Sequence, residues 1–187
     1  MRLDSDSWEV NREAARLLFR QRRIRDAIPY FEKAAELLDT DWHNAGMLVS
    51  CFRETGDNDQ LRRAAQRTVD RTEKAIAKDP SNATVLAAGA VALAAIGENQ
   101  RSKDWIDRAL LLDPDNNIMR YNLACALCTD LKDPGRSMDV LEPYFRTTLG
   151  VTHIRHAEID PDLDSLRDDS RFKQMLSDAR QRLGIAV

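Results

Sequence analysis

The sequence predicts an all-α protein built from consecutive pairs of helices. Only seven glycines and six prolines occur among 187 residues, so few positions interrupt a helix. Hydrophobic residues make up 43% of the chain, which is enough for a substantial core and argues against an intrinsically disordered protein. The third observation is a repeat of about 34 residues that is marked by Asp-Pro pairs. A fixed period of this length is typical of a helical solenoid.

The repeat is clearest where two Asp-Pro segments are aligned. Asp79-Pro80-Ser81-Asn82 lies 34 residues before Asp113-Pro114-Asp115-Asn116, and a helical block follows each segment. The residue before a proline is driven out of the α region, so each pair marks the end of a helix. Two further Asp-Pro pairs occur at 133–134 and 160–161. Each unit of the repeat therefore contains two helices.

The predicted helices follow from these helix-ending Asp-Pro pairs and from the periodic spacing of apolar residues between them. They lie at about 7–21, 24–38, 41–55, 58–78, 83–96, 99–112, 116–130 and 135–147, with a shorter helix near 151–158 and a last one at 168–183. Ser170 or Asp168 is the predicted N-cap of the last helix. Its apolar residues form one stripe that should seal the final repeat, namely Phe172, Met175, Leu176 and Ala179.

These units resemble the tetratricopeptide (TPR) repeat. In the first unit Ala27, Phe31 and Ala34 reproduce the family's small-large-small pattern, and in the third unit Gly89 and Leu93 fall in the first helix. The resemblance covers residues 7 to about 145. It implies a right-handed helical solenoid of about four helix pairs with a C-terminal capping helix. The whole chain, 1–187, would be a single TPR-type domain with repeats at about 7–40, 41–80, 81–114 and 115–147 and a capping tail at 148–187.

The two ends of the chain extend this resemblance. Residues 156–172 are similar to an end-piece that follows TPR arrays in bacterial class III adenylate/guanylate cyclases and in some kinases. The resemblance implies the C-terminal regulatory region of such a signalling protein, whose catalytic domain would lie outside these residues. Leu3-Asp4-Ser5-Asp6 looks like the end of one more repeat, so we expect the chain to be a fragment of a longer protein.

Charge and cysteine content exclude several functional classes. The net charge is −3, which argues against a dedicated nucleic-acid binder. Although the net charge of the whole chain is small, charges of each sign are clustered. Residues 12–25 contain six arginines and one glutamate, and residues 158–169 contain six acidic residues and one arginine. An odd number of cysteines, three, favours reduced thiols in a cytoplasmic protein. The longest apolar stretch, 85–96, is too short to cross a bilayer, so no membrane partner is expected.

Three short patterns contain metal-binding residue types, but each by itself is incomplete. They are Cys125-x-x-Cys128, His153-x-x-His156 and Asp160-x-Asp162-x-Asp164. A structural zinc site needs four ligands, and neither of the first two patterns has a matching second pair. A calcium loop needs Gly and Glu where this sequence has Ser165 and Arg171. We therefore expect no metal, no cofactor and no catalytic residues.

What remains is a surface for binding another protein. In TPR-like stacks the first helix of each pair lines a concave groove. The residues that would line it here are Arg12, Arg16, Arg20, His43, Met47, Ala87, Val91, Tyr121 and Asn122. Arg12, Arg16 and Arg20 lie four apart and share one helix face, and arginine binds carboxylates through two parallel hydrogen bonds. The groove would hold a peptide or helix with an acidic end, unless these arginines are solvated or pair with neighbouring glutamates.

The sequence therefore predicts a non-catalytic protein-interaction module, a scaffold or regulatory domain. The alternative is a self-association domain that dimerises its parent protein. In that case the stripe of Phe172, Met175 and Leu176, or the first helix with Trp8, would pack on a second copy.

Overall fold

The computed structural model describes residues 6–185, which form ten α-helices and one 3-10 helix and include no β-strand. The remnant repeat expected at Leu3-Asp4-Ser5 lies outside these residues. The helices are α1 (Trp8–Arg20), α2 (Ile24–Leu37), α3 (Trp42–Thr55), α4 (Asn58–Lys78), α5 (Ala83–Ala95), α6 (Asn99–Leu112), α7 (Asn117–Thr129), α8 (Pro134–Thr147), α9 (Val151–Ile159) and α10 (Ser170–Leu183), with the 3-10 helix at Pro161–Leu166 between the last two.

Short polar side chains fix where most of these helices begin. Asp41, Asp57, Asn82, Asn116 and Asp133 each accept a hydrogen bond from the backbone N–H three residues further on. This bond satisfies one of the N–H groups that a helix leaves without a partner in its first turn. Three of these caps lie in the segments marked by Asp-Pro pairs in the sequence: Asn82 and Asn116 end the two aligned segments, and Asp133 precedes Pro134. The predicted helices are confirmed, with ends that differ by one or two residues.

The C-terminal tail differs from the prediction in two places. The N-cap of α10 is Asp169, whose carboxylate accepts from the backbone N–H groups of Arg171 and Phe172, so neither Ser170 nor Asp168 has that role. Residues 161–166, for which the sequence predicts no helix, form the 3-10 helix. Asp160 caps it by accepting from the Asp162 N–H. Proline is compatible with the first turn of such a helix, so Pro161 starts it instead of preventing it.

The described helices form two compact units, one ending at Leu112 and the other beginning at Asp113. In the first unit, α1 pairs with α2, α3 with α4 and α5 with α6, and each pair packs on the next. Its fully buried large side chains include Phe31, Leu48, Leu86, Leu93 and Ile106. No single pair could bury these side chains alone, so each pair depends on its neighbour for stability.

In the second unit, α7 pairs with α8, the 3-10 helix packs on α7, and α10 packs on α8 and α9. Phe172 from α10 is fully buried and meets Phe145 of α8 edge to face, with ring centroids 5.9 Å apart. The stripe predicted to seal the last helix pair does so through this ring. The all-α, TPR-like arrangement of consecutive helix pairs with a terminal capping helix is therefore confirmed.

Small residues occupy the positions where helices of the first unit approach closely. Ala27 and Ala34 flank Phe31 on α2, and all three are fully buried. Gly89 of α5 lies against the ring of Trp105 on α6 and the side chain of Thr72 on α4. A Cβ built on Gly89 would lie 2.7 Å from Trp105 Cε3 and 2.8 Å from Thr72 Oγ1. Only glycine fits there, which explains the glycine of the repeat pattern in physical terms.

We expect Gly89→Ala to lower the free energy of unfolding by about 1–3 kcal/mol, because the added methyl overpacks the contact with Trp105. Gly46→Ala is the matched control, since Gly46 also lies inside a helix of the first unit but a Cβ added there would lie 3.8 Å from the nearest side chain, that of Thr68. That control should be neutral or stabilising by up to about 1 kcal/mol through helix propensity. Urea unfolding followed by circular dichroism measures both, and equal effects would contradict the packing argument.

Candidate functional site

The residues predicted to line a groove lie in both units. Seven belong to the first unit and two, Tyr121 and Asn122, belong to the second. Each set is therefore described by itself, and a groove that includes all nine residues stays a prediction.

The arginines of α1 differ in their surroundings. Arg12 is half-buried, lies over the Trp8 ring with its Cζ 4.5 Å from the centroid, and pairs with Glu13 at 2.9 Å. Arg16 and Arg20 are exposed and have no ion-pair partner among residues 6–185. Of the two alternatives to ligand binding, pairing with a glutamate therefore applies to Arg12, and solvation applies to Arg16 and Arg20. A binding role for these arginines stays a prediction.

The basic segment at 12–25 is also partly neutralised at the turn between α1 and α2. Arg22 pairs with Glu54 at 3.6 Å and Arg23 with Asp26 at 2.7 Å. Together with Arg12, three of its six arginines have acidic partners. The charge that the sequence places on this segment is thus concentrated on Arg16, Arg20 and Arg25.

A buried aspartate connects α1 to the following helix pair. Asp41 caps α3 and also accepts from Trp8 Nε1 on α1 at 2.6 Å. From α4, the Arg71 guanidinium donates to the main-chain oxygens of Asp41 at 2.7 Å and of Ala35 at 2.6 Å. Hydrogen bonds that involve charged groups are stronger than neutral ones and hold these elements in a defined register. The face of α1 is thereby fixed beside the start of α3.

His43 of α3 lies within electrostatic reach of the α1 arginines. Partial burial lowers the pKa of His43, Asp41 acts in the opposite direction, and Arg16 and Arg12 lower it further. The imidazole also meets the Trp42 ring edge to face, with centroids 5.8 Å apart. The structure thus brings together Arg12, Arg16 and His43, which we call the Arg-His cluster. Helix spacing in the sequence placed the two arginines on one face but did not predict that His43 of α3 lies within their electrostatic reach.

The apolar candidates are less accessible than the sequence suggested. Met47 and Val91 are half-buried on α3 and α5, while Ala87 is only 7% exposed. Helices α3 and α5 contact each other, so Met47 and Val91 lie on adjacent helices of the first unit. They offer limited apolar area, and Met47 lies one helical turn after His43 on α3.

The two candidates in the second unit have different environments. Asn122 is exposed, whereas Tyr121 is 8% exposed and its hydroxyl donates to Asp160 Oδ2 at 2.6 Å. Burial and this hydrogen bond raise the pKa of Tyr121. The Tyr121 ring also lies 5.1 Å from that of Tyr144 and 5.7 Å from that of His156. Its hydroxyl is thus engaged within the second unit, by a carboxylate 39 residues away in the sequence.

The residues suggested for self-association are also engaged within the chain. Phe172 is 1% exposed, Met175 and Leu176 are half-buried, and Trp8 donates its indole hydrogen to Asp41. Phe172 is therefore not a surface anchor for a second copy. Self-association as such stays a prediction.

The three cysteines are buried and form no disulfide. Burial raises the pKa of Cys51 to about 12, and the Cys128 thiol lies 3.1 Å from Ser137 Oγ. The Cys125 thiol lies close to the carboxylates of Asp160 and Asp162, all within 4.8 Å of one another. The structure thus joins residues that belong to separate patterns in the sequence.

Comparison with known proteins finds similarity among solved structures. No family model matches the chain, and no curated protein matches it. Among solved structures, the chain is similar to the crystal structure of MamA protein, with 16% sequence identity and a TM-score of 0.49, over 96% of this chain and 97% of that one. Within residues 6–185, no helix combines the length and the apolar character that crossing a membrane requires.

We expect Arg16→Gln to raise the pKa of His43, because the variant removes a positive charge that disfavours the imidazolium. In the parent chain the folded-state pKa lies below the ordinary value of 6.5, so the unfolded chain binds the proton first and the free energy of unfolding decreases as pH falls through that value. This decrease should be smaller in Arg16→Gln. Proton NMR titration measures the pKa, with Arg25→Gln as the charge-matched control. An unchanged His43 pKa in Arg16→Gln would show that the two groups are not coupled.

We expect Tyr121→Phe to lower the free energy of unfolding by about 1.5–3 kcal/mol, since the buried Asp160 carboxylate loses a hydrogen bond from the tyrosine hydroxyl. Tyr144→Phe is the matched control in the same unit, because the Tyr144 hydroxyl has no hydrogen-bond partner among residues 6–185. It should change the free energy of unfolding by less than about 0.5 kcal/mol. Urea unfolding of both variants measures this difference. Equal decreases in the free energy of unfolding would contradict a stabilising hydrogen bond between Tyr121 and Asp160.

Proposed function

We propose that this chain is a non-catalytic protein-interaction module that binds an acidic peptide segment through the Arg-His cluster and Arg20. The observation that carries the proposal is that Arg16 and Arg20 are exposed without an ion-pair partner among residues 6–185, while His43 lies beside Arg16. Arginines without an ion-pair partner can bind a carboxylate without first breaking an existing pair, and because the helix is preformed only their side chains must be ordered.

The mechanism is docking on a preformed surface. Packing of α1 on α2 and the hydrogen bond from Trp8 to Asp41 hold the start of α1 in place before any partner arrives, so binding orders the arginine side chains but not the helices. Each guanidinium can bind a carboxylate through two N–H groups, and the partly desolvated edge of the Arg-His cluster strengthens that attraction. Met47 and Val91 supply a small apolar area beside the charged groups.

The proposed context is a bacterial signalling protein, such as an adenylate cyclase, in whose cytoplasmic part this chain is the C-terminal regulatory region. The support is the resemblance of residues 156–172 to the end-piece of such proteins. The length and upstream sequence of the parent gene test this context directly. An upstream cyclase or kinase domain supports it, and a gene without one contradicts it.

The binding proposal is tested with the full chain and a short fluorescent peptide whose C-terminal half consists of Asp and Glu. Fluorescence anisotropy should detect binding of this peptide but not of its Asn/Gln counterpart. Arg16→Glu/Arg20→Glu should weaken binding about tenfold or more, which corresponds to about 1.4 kcal/mol or more.

The control for that experiment is Arg63→Glu/Arg67→Glu on α4. These arginines are also exposed, also four residues apart and change the net charge by the same amount. Unchanged affinity in this control identifies the α1 face as the site. Equal loss in both double variants would mean that only net charge matters, and absence of binding to the acidic peptide would contradict the proposal.

A further inference from the structure

Three incomplete sequence patterns converge at one place in the second unit. Cys125 comes from α7, His156 from α9, and Asp160 and Asp162 from the start of the 3-10 helix. The Cys125 sulfur and one carboxylate oxygen from each aspartate lie within 4.8 Å of one another, and His156 Nε2 lies 3.1 Å from Asp160 Oδ2. A thiol, an imidazole and two carboxylates thus approach from three separate elements.

The surrounding hydrogen bonds hold the central carboxylate in place. Tyr121 donates to Asp160 Oδ2 at 2.6 Å, the Asp162 N–H donates to Oδ1 at 3.0 Å, and Arg167 donates to the Asp160 main-chain oxygen at 2.7 Å. A tyrosine hydroxyl on one carboxylate oxygen is the kind of outer contact that orients ligands in metal sites. The position of Asp160 is therefore set independently of any bound ion.

The burial of the four side chains is uneven, which provides both a low-dielectric site and a route into it. Cys125 and Asp160 are each 8% exposed, Asp162 is half-buried, and the His156 side chain is 59% exposed. Thiolate and carboxylate groups that share such a site repel one another unless a proton or a cation neutralises them. A bound cation would neutralise this repulsion, and the exposed His156 side chain lies in contact with the buried Asp160 carboxylate.

We propose that Cys125, His156, Asp160 and Asp162 bind a divalent transition-metal ion of the zinc class. Sulfur, imidazole nitrogen and carboxylate oxygen are the donors that Zn²⁺ prefers, and four of them complete a tetrahedral structural site. Ligand atoms at about 2.0–2.3 Å from a tetrahedral ion lie roughly 3.3–3.8 Å from one another. Cys125, Asp160 and Asp162, with ligand atoms within 4.8 Å of one another, therefore need only small side-chain movements, and His156 would complete the set from its contact with Asp160. The thiol disfavours Ca²⁺ and Mg²⁺, which take oxygen ligands.

Such an ion would cross-link three elements of the second unit. It would join α7 to α9 and to the 3-10 helix, at the point where Tyr121 already contacts Asp160. Metal binding would then stabilise the folded tail, because the four ligands are separated in the unfolded chain. The inference is independent of the peptide-binding proposal, which concerns the first unit.

The test uses the full chain, purified under reducing conditions and freed of metal with a chelator, and titrated with Co²⁺ and Zn²⁺. We expect a thiolate-to-cobalt charge-transfer absorption that saturates at one equivalent and disappears on addition of Zn²⁺. Cys125→Ser should abolish this absorption. Cys128→Ser should retain it, since the Cys128 thiol lies beside Ser137 instead.

A second pair of variants avoids changes in the core. Asp162→Asn and His156→Gln alter half-buried and exposed side chains, and each should weaken Zn²⁺ binding about tenfold or more in isothermal titration calorimetry. His153→Gln, three residues before His156, is the control and should bind Zn²⁺ like the parent chain.

Circular dichroism confirms that each variant is folded before binding is compared. The proposal is overturned if the parent chain shows no thiolate-to-cobalt band, if the band persists in Cys125→Ser, or if Asp162→Asn and His156→Gln bind Zn²⁺ as tightly as His153→Gln.

Discussion

The close approach of paired helices at small residues is the constraint on which the first unit depends. A helix pair of this kind has too little apolar surface to fold alone, so its stability comes from contact with the next pair. Small residues permit this approach: Ala27 and Ala34 flank the buried Phe31 on α2, and Gly89 of α5 lies against both Trp105 of its own pair and Thr72 of the preceding pair.

Aspartates connect the helices that this packing brings together. Asp41 caps its own helix while accepting from Trp8, and Asp160 caps the 3-10 helix while accepting from Tyr121. One buried carboxylate can accept several hydrogen bonds. An aspartate that caps one helix can therefore also hold a side chain of an adjacent helix in position. In both units the aspartate that caps one helix and accepts from another lies next to, or among, the side chains proposed to bind a ligand.

The candidate sites could be predicted from the sequence only in part. The spacing of Arg12, Arg16 and Arg20 placed them on one helix face, but it could not separate Arg12, which pairs with Glu13, from the solvated Arg16 and Arg20. Rotamers and local ion pairs decide this difference. Cys125 and Asp160 belong to unrelated local patterns, and their proximity depends on how the 3-10 helix packs on α7.

The sequence by itself determined the positions of the ten α-helices of residues 6–185 and of most residues that begin or end them. Local rules suffice for this, because a proline, a capping side chain or an apolar period acts within a few residues. Only the tertiary structure decided which charges are paired, that Tyr121 is engaged by Asp160, and that thiol, imidazole and carboxylates meet in the second unit. The contacts that bring Tyr121 and Cys125 to Asp160 join residues 30 or more positions apart, which helix packing sets and local sequence does not encode.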